Sequence, residues 1–219
     1  MEHVHIEEFK PLLRGVSHAV SFWIALAAAI VLVVLADGTT ETAAAVIYGI
    51  GLCALFGASG TYHRWRWNPR WRPLLRRIDH STIFVFIAAS YTPISLLVLD
   101  GAWRWSILAV VWAGAIAGVL MSVFWIDAPR WLVAGVYLAL GWVAVAATPQ
   151  LIDNLPVAPL TLLAAGGLLY SAGAIVYALK RPDPWPKVFG FHEVFHAFVI
   201  AAATTHFVAM AGWIFSTPT

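Results

Sequence analysis

The stretch "FGFHEVFHAFVIAAATTHF", which begins at Phe189, carries His192 and His196 four residues apart with Glu193 between them. Side chains at i and i+4 share one face of a helix, so the two imidazoles can grip one cation together. The spelling H-E-x-x-H is that of the soluble zinc proteases, in which two histidines hold the metal and the glutamate acts as base. The rest of the chain does not support that chemistry. No Asp or Glu follows Glu193, and Val199 and Ala202 stand where the longer protease motif needs Gly and His. The remaining downstream histidine, His206, lies ten residues beyond His196, about 15 Å along an unbroken helix. A third ligand must therefore come from upstream, where "SGTYH" ends in His63 and "RRIDHS" contains Asp79. Three imidazoles suit tetrahedral zinc with a fourth position left open, the pattern of catalytic rather than structural sites. Ser59 lies one turn from His63 on the same face, Asp79 is placed to hold a water, and Glu193 falls about 100° around the helix from His192.

The elements that must position these residues are membrane spans. Of 219 residues, 61% are hydrophobic and 11% charged, with twelve tryptophans, a balance far more apolar than that of soluble domains. Hydrocarbon about 30 Å thick needs about 20 apolar residues per helix. Runs of that kind occupy roughly 17–36, 43–63, 78–99, 103–125, 130–148, 158–179 and 189–214. The expectation is an all-α integral membrane protein, a single seven-transmembrane helix bundle over 1–219. The first run is longer than a signal-peptide core and its flank "MEHVHIEEFK" is acidic, so it reads as a retained span. Cys53 is the single cysteine and sits inside the second run, which excludes an intramolecular disulfide.

Charge sets the expected orientation. With the N-terminus and the even-numbered loops on one side, that side holds Lys10, Arg14, Arg64, Arg66, Arg70, Arg72, Arg76, Arg77, Arg130, Lys180, Arg181 and Lys187, against Arg104 on the other. This bias places the N-terminus in the cytoplasm and the C-terminus outside. It also brings His63, Asp79, His192 and His196 to the cytoplasmic ends of their spans, although no histidine entered the count. Ionisable groups inside a span cost several kcal/mol unless paired or hydrated, so each is a candidate for function. Competing structural roles exist: Asp79 can pair with Arg76 or Arg77, Ser59 can bond within its own helix, and His206 can be a polar packing contact. The loop "RWRWNPRWRPLLRR" from Arg64 to Arg77 interleaves arginine with Trp65, Trp67 and Trp71, which suits lipid headgroups and argues against a nucleic-acid partner.

Taken together, "SGTYH", "RRIDHS" and "HEVFHAFVIAAATTHF" resemble the bacterial haemolysin III proteins and their relatives, the progestin and adiponectin receptors. The resemblance extends over all seven helices. It implies zinc ligands at His63, His192 and His196, with Asp79 reaching the metal through water and Ser59 nearby. The family's Glu-x-x-Asn-x-x-x-His entry to the first helix is matched here at His18 only. Pro11 and Arg14 replace the Glu and Asn, giving a basic entry, with His18 as a candidate contact behind the ligands. The activity implied is zinc-dependent hydrolysis of a membrane lipid amide or ester, ceramidase-like, in a multi-pass protein of the bacterial inner (plasma) membrane. The alternative is a receptor, membrane-state sensor or cytolytic protein in which zinc ties helices together. A transporter is disfavoured because the ionisable groups gather at one end.

Overall fold

The structure is a computed structural model that describes residues 10–215; the acidic stretch before Lys10 lies outside the described residues. Seven helices are long and apolar enough to cross a bilayer: α1 (Val16–Leu35), α2 (Thr39–Arg64), α3 (Arg72–Leu97), α4 (Gly101–Phe124), α5 (Arg130–Asn154), α6 (Val157–Leu179) and α7 (Phe191–Ile214). Among the described residues there is no strand beyond an isolated bridge between Trp185 and Phe189. The protein is an all-α seven-span bundle. Large apolar side chains such as Val34, Phe124 and Val157 face outward, as a hydrocarbon surrounding requires.

Three spans are longer than the apolar runs suggest, and α2 already begins at Thr39 rather than near residue 43. α3 begins at Arg72 rather than near residue 78. Hydropathy locates the buried stretch, but Pro73 fits a first helical turn and Leu and Arg are good helix formers, so the helix starts in the interface. α5 continues to Asn154 instead of ending near 148. It is α-helical over Arg130–Gly141, tightens to a 3-10 helix over Trp142–Ala147 and resumes over Thr148–Asn154. Pro149 opens the last segment rather than terminating the span. The Tyr91 hydroxyl serves this interruption, donating to the Gly141 carbonyl at 2.6 Å and accepting from Ala144 N–H at 2.7 Å. Backbone groups freed inside a bilayer need such a partner.

The strongest helix contacts join α1 to α2, α2 to α3, α3 to α4 and α6 to α7, and α1 also touches α7. Near the arginine-rich end, Gly60 lets α1 approach closely. A methyl carbon there would stand 3.0 Å from the backbone of Ala19. Since Gly60 follows Ser59 and Ala19 follows His18, this approach sets those two side chains against each other. One turn earlier, Gly15 takes φ +77°, a left-handed conformation that favours glycine. It packs on the backbone of His63 and Arg64.

Candidate metal centre

α2 delivers His63 from its last turn, and α7 delivers His192 and His196 from its first two. One nitrogen from each of the three rings lies within 4.8 Å of the others. His63 Nε2 is 3.0 Å from His192 Nε2 and 3.4 Å from Asp79 Oδ2. The cluster is buried on its inner side, where His196 is 1% exposed and Asp79 6%, while His63 and His192 are partly buried. Two Nε2 lone pairs cannot face each other at this distance without a proton or a cation between them. His196 Nδ1 is buried with no hydrogen-bond partner. A donor set of three imidazoles with one carboxylate beside it fits a zinc-like divalent ion better than calcium or magnesium, which favour oxygen ligands.

Behind this cluster lies His18, also buried. Its ring stacks on that of His196, with centroids 3.7 Å apart and planes inclined by 10°, while its Nδ1 is 2.8 Å from Ser59 Oγ. Ser59 Oγ is also 3.5 Å from His196 Nε2. Ser59 is thus engaged by side chains of α1 and α7. Asp79 has His63 as its neighbour at 3.4 Å, whereas Arg76 pairs with Asp127 at 2.9 Å and Arg77 donates to the Val123 carbonyl.

Glu193 is occupied elsewhere. Its Oε2 accepts the Gly190 backbone N–H at 2.8 Å, and its Oε1 pairs with Arg14 Nε at 2.5 Å. Both oxygens therefore hold the start of α7 and the entry to α1, and neither is left for a protease-like base. His206 Nε2–H donates to the Leu163 carbonyl at 3.0 Å, a contact between α7 and α6.

A cavity of about 140 Å³ opens from the cluster into the bundle. Ser59, Asp79 and His80 line it at the cluster, and it reaches Tyr91, Trp142 and His206 deeper in. Its wall is almost entirely apolar, with Ile83, Ile87, Phe195 and Val199 contributing.

A model of the family described as haemolysin-III related matches residues 6–207. The chain belongs to the haemolysin III-related family. It is 30% identical to Hemolysin-3 of Bacillus cereus, over 94% of this chain and 92% of that protein. Identity to the human monocyte to macrophage differentiation factor is 29%, over 84% of this chain and 76% of that protein. A shorter match of 56 residues, 43% identical, links it to the heptahelical transmembrane protein ADIPOR2 of Oryza sativa subsp. japonica, covering 23% of this chain and 24% of that one. This haemolysin III-family protein is therefore a multi-pass integral membrane protein, and its bacterial relative fits a plasma-membrane location.

Two features of this haemolysin III-family site were not read from sequence. The ion pair between Arg14 and Glu193 joins positions 179 residues apart, and periodicity carries no signal for it. The stack of His18 on His196 depends on how α1 crosses α2, for which the small residues Ala19 and Gly60 were the available hint.

Proposed function

We propose that this protein is a zinc-dependent hydrolase acting on the amide or ester bond of a membrane lipid, with His63, His192 and His196 holding the ion. The observation that carries the reading is the position of the histidine cluster at the head of an apolar cavity inside the bundle. Such a cavity suits an acyl chain and excludes bulk water, while the polar end gathers the groups that hydrolysis needs. When bound, zinc would supply Lewis acidity, polarising the scissile carbonyl and acidifying an attacking water. Asp79 lines the cavity and lies 3.4 Å from His63, so its carboxylate can orient that water and take its proton. Ser59 also lines the cavity and is fixed by His18 at 2.8 Å. Its hydroxyl can donate to the substrate oxygen as negative charge develops there. The arginine-rich end, and the centre with it, is assigned to the cytoplasmic leaflet by the charge bias.

A second reading keeps the ion but not the chemistry. The three imidazoles come from α2 and α7, which are distant in the chain, so an ion held by them would tie the two helices together. A receptor, sensor or cytolytic protein would need no more. Purified protein with and without chelator, assayed on a panel of lipid amides and esters and for thermal stability, separates the two. Turnover that Asp79→Asn abolishes while zinc remains bound supports the hydrolase. Lower stability after chelation, with no turnover of any lipid before it, supports the tie.

A further inference from the structure

Among the described residues, two arginines rest on aromatic rings, and one of those rings belongs to the cavity. Arg70 lies over Trp71, 5.9 Å from the ring centroid, and Trp71 does not line the cavity. Arg130, the first residue of α5, lies over Tyr177 in the last turn of α6, 5.8 Å from its centroid. Tyr177 is part of the cavity wall. Its ring centroid stands 6.2 Å from that of His192 and 5.3 Å from that of Phe195. The guanidinium is thereby held one aromatic ring away from a candidate metal ligand.

Arg130 is exposed, and so are Trp125 and Trp131 close to it in the chain. Indoles of this kind sit at the headgroup level of a bilayer, so the guanidinium stands at the water boundary while the cavity runs from the cluster into the hydrocarbon. A guanidinium lying over a ring face gives up none of its five N–H donors to that contact, and its planar fork matches phosphate oxygens two at a time. His196 and His206, which line the two ends of the cavity, are separated by about 15 Å along α7. That is half of a hydrocarbon core about 30 Å thick, the reach of one acyl chain. A lipid whose chain fills the cavity and whose carbonyl meets the histidines leaves its headgroup at the Tyr177 end.

We propose that Arg130, seated on Tyr177, reads the phosphate of the lipid substrate, which makes the substrate an acylated phospholipid rather than a lipid with an uncharged head. Water would add across the bond between the carbonyl carbon and its oxygen or nitrogen, the hydroxyl going to the carbon and the proton to the leaving atom. A fatty acid is released, and the phosphate-bearing remainder stays with Arg130 until it dissociates. Arg130 touches the headgroup and not the reacting atoms, so its role is specificity. The proposal rests on the hydrolase reading for the bond that meets the cluster, whereas recognition of the phosphate is measured without turnover, which keeps the two apart.

The test uses the purified full chain in detergent and lipids with ether-linked chains, which have no acyl bond to cleave: a dialkyl phosphatidylglycerol and the dialkylglycerol with the same chains. Binding followed by native mass spectrometry should favour the phosphate-bearing lipid by about tenfold or more. Arg130→Gln should bring that preference close to one, and Arg130→Lys, which keeps the charge but loses the fork, should leave it in between. Arg70→Gln removes the same charge and the same kind of ring contact away from the cavity, and should keep the parent preference. An equal loss in Arg70→Gln would mean general attraction to a basic surface and would overturn the assignment, as would a parent protein with no preference. Inorganic phosphate in excess should not displace the ether phospholipid, and full displacement would contradict recognition of a lipid. The ester-linked counterparts are assayed for turnover on the same samples. A preference for the phosphate-bearing ester that Arg130→Gln removes supports both readings, whereas no turnover beside an intact binding preference counts against the hydrolase and upholds the role of Arg130. Thermal melting confirms that each variant compared is folded.

Discussion

His18 lies face to face with His196, with ring centroids 3.7 Å apart, while its Nδ1 reaches Ser59 Oγ at 2.8 Å. A residue of α1 therefore braces a candidate ligand on α7 and a candidate hydrogen-bond donor on α2. The two contacts can be separated. His18→Phe keeps an aromatic plane against His196 but loses the bond to Ser59, so zinc content should persist while lipid turnover falls. His18→Ala removes both, and zinc affinity should drop by about tenfold or more, as is typical when support behind a ligand is lost. Metal competition titrations beside turnover assays check both outcomes.

The Arg14–Glu193 pair should act as a structural tie. Glu193 is 2% exposed, and Arg14 has a fifth of its side chain in contact with solvent. Leaving the glutamate buried without its partner should therefore cost less than a fully buried pair, about 1–3 kcal/mol. Arg14→Ala and Glu193→Gln should each lower thermal stability, and their effects should not add in the double variant. A double-mutant cycle measures that coupling. Glu193→Gln should also retain turnover to the extent that it folds, which a protease-like base would not allow.

Tyr91 supports the interruption in α5 through Gly141 and Ala144. Tyr91→Phe leaves a carbonyl and an N–H unpaired and should destabilise the bundle by about 1–3 kcal/mol. Zinc content should be unchanged, because Tyr91 lines the deep part of the cavity rather than the histidine cluster. Thermal melting and metal analysis on the same sample report the two quantities.

Orientation is open to direct test through the single native cysteine, Cys53. In a Cys53→Ala background, a cysteine at Arg70 should react with a membrane-impermeant maleimide only after cells are opened. One at Asp100, exposed in the α3–α4 connection, should react in intact cells. The reverse pattern would place the arginine-rich end outside.

The seven spans were legible because each is a long apolar run, and the histidine spacing was legible because i and i+4 share a helix face. What sequence misjudged were the helix ends. Pro73 and Pro149 lie outside the apolar runs, yet each sits in the first turn of a helical segment, where its missing N–H has no partner to lose. Asp79 was legible as a candidate, but its neighbour was not, since Arg76 and Arg77 were near in sequence. Only packing decides that Arg76 turns to Asp127 and leaves Asp79 beside His63. The stack of His18 and the Arg14–Glu193 pair lie further out of reach, because both depend on how α1 crosses the other helices.

The central claim is that His63 joins His192 and His196 around one divalent ion. Metal analysis of the purified full chain tests it most directly, comparing the parent protein with His63→Ala and with His206→Ala as a control on the same helix as the pair. The account predicts about one zinc per chain in the parent, loss to background in His63→Ala, and retention in His206→Ala. A parent protein that stays free of metal when zinc is supplied in excess, or a His63→Ala variant that keeps its full zinc, would contradict it.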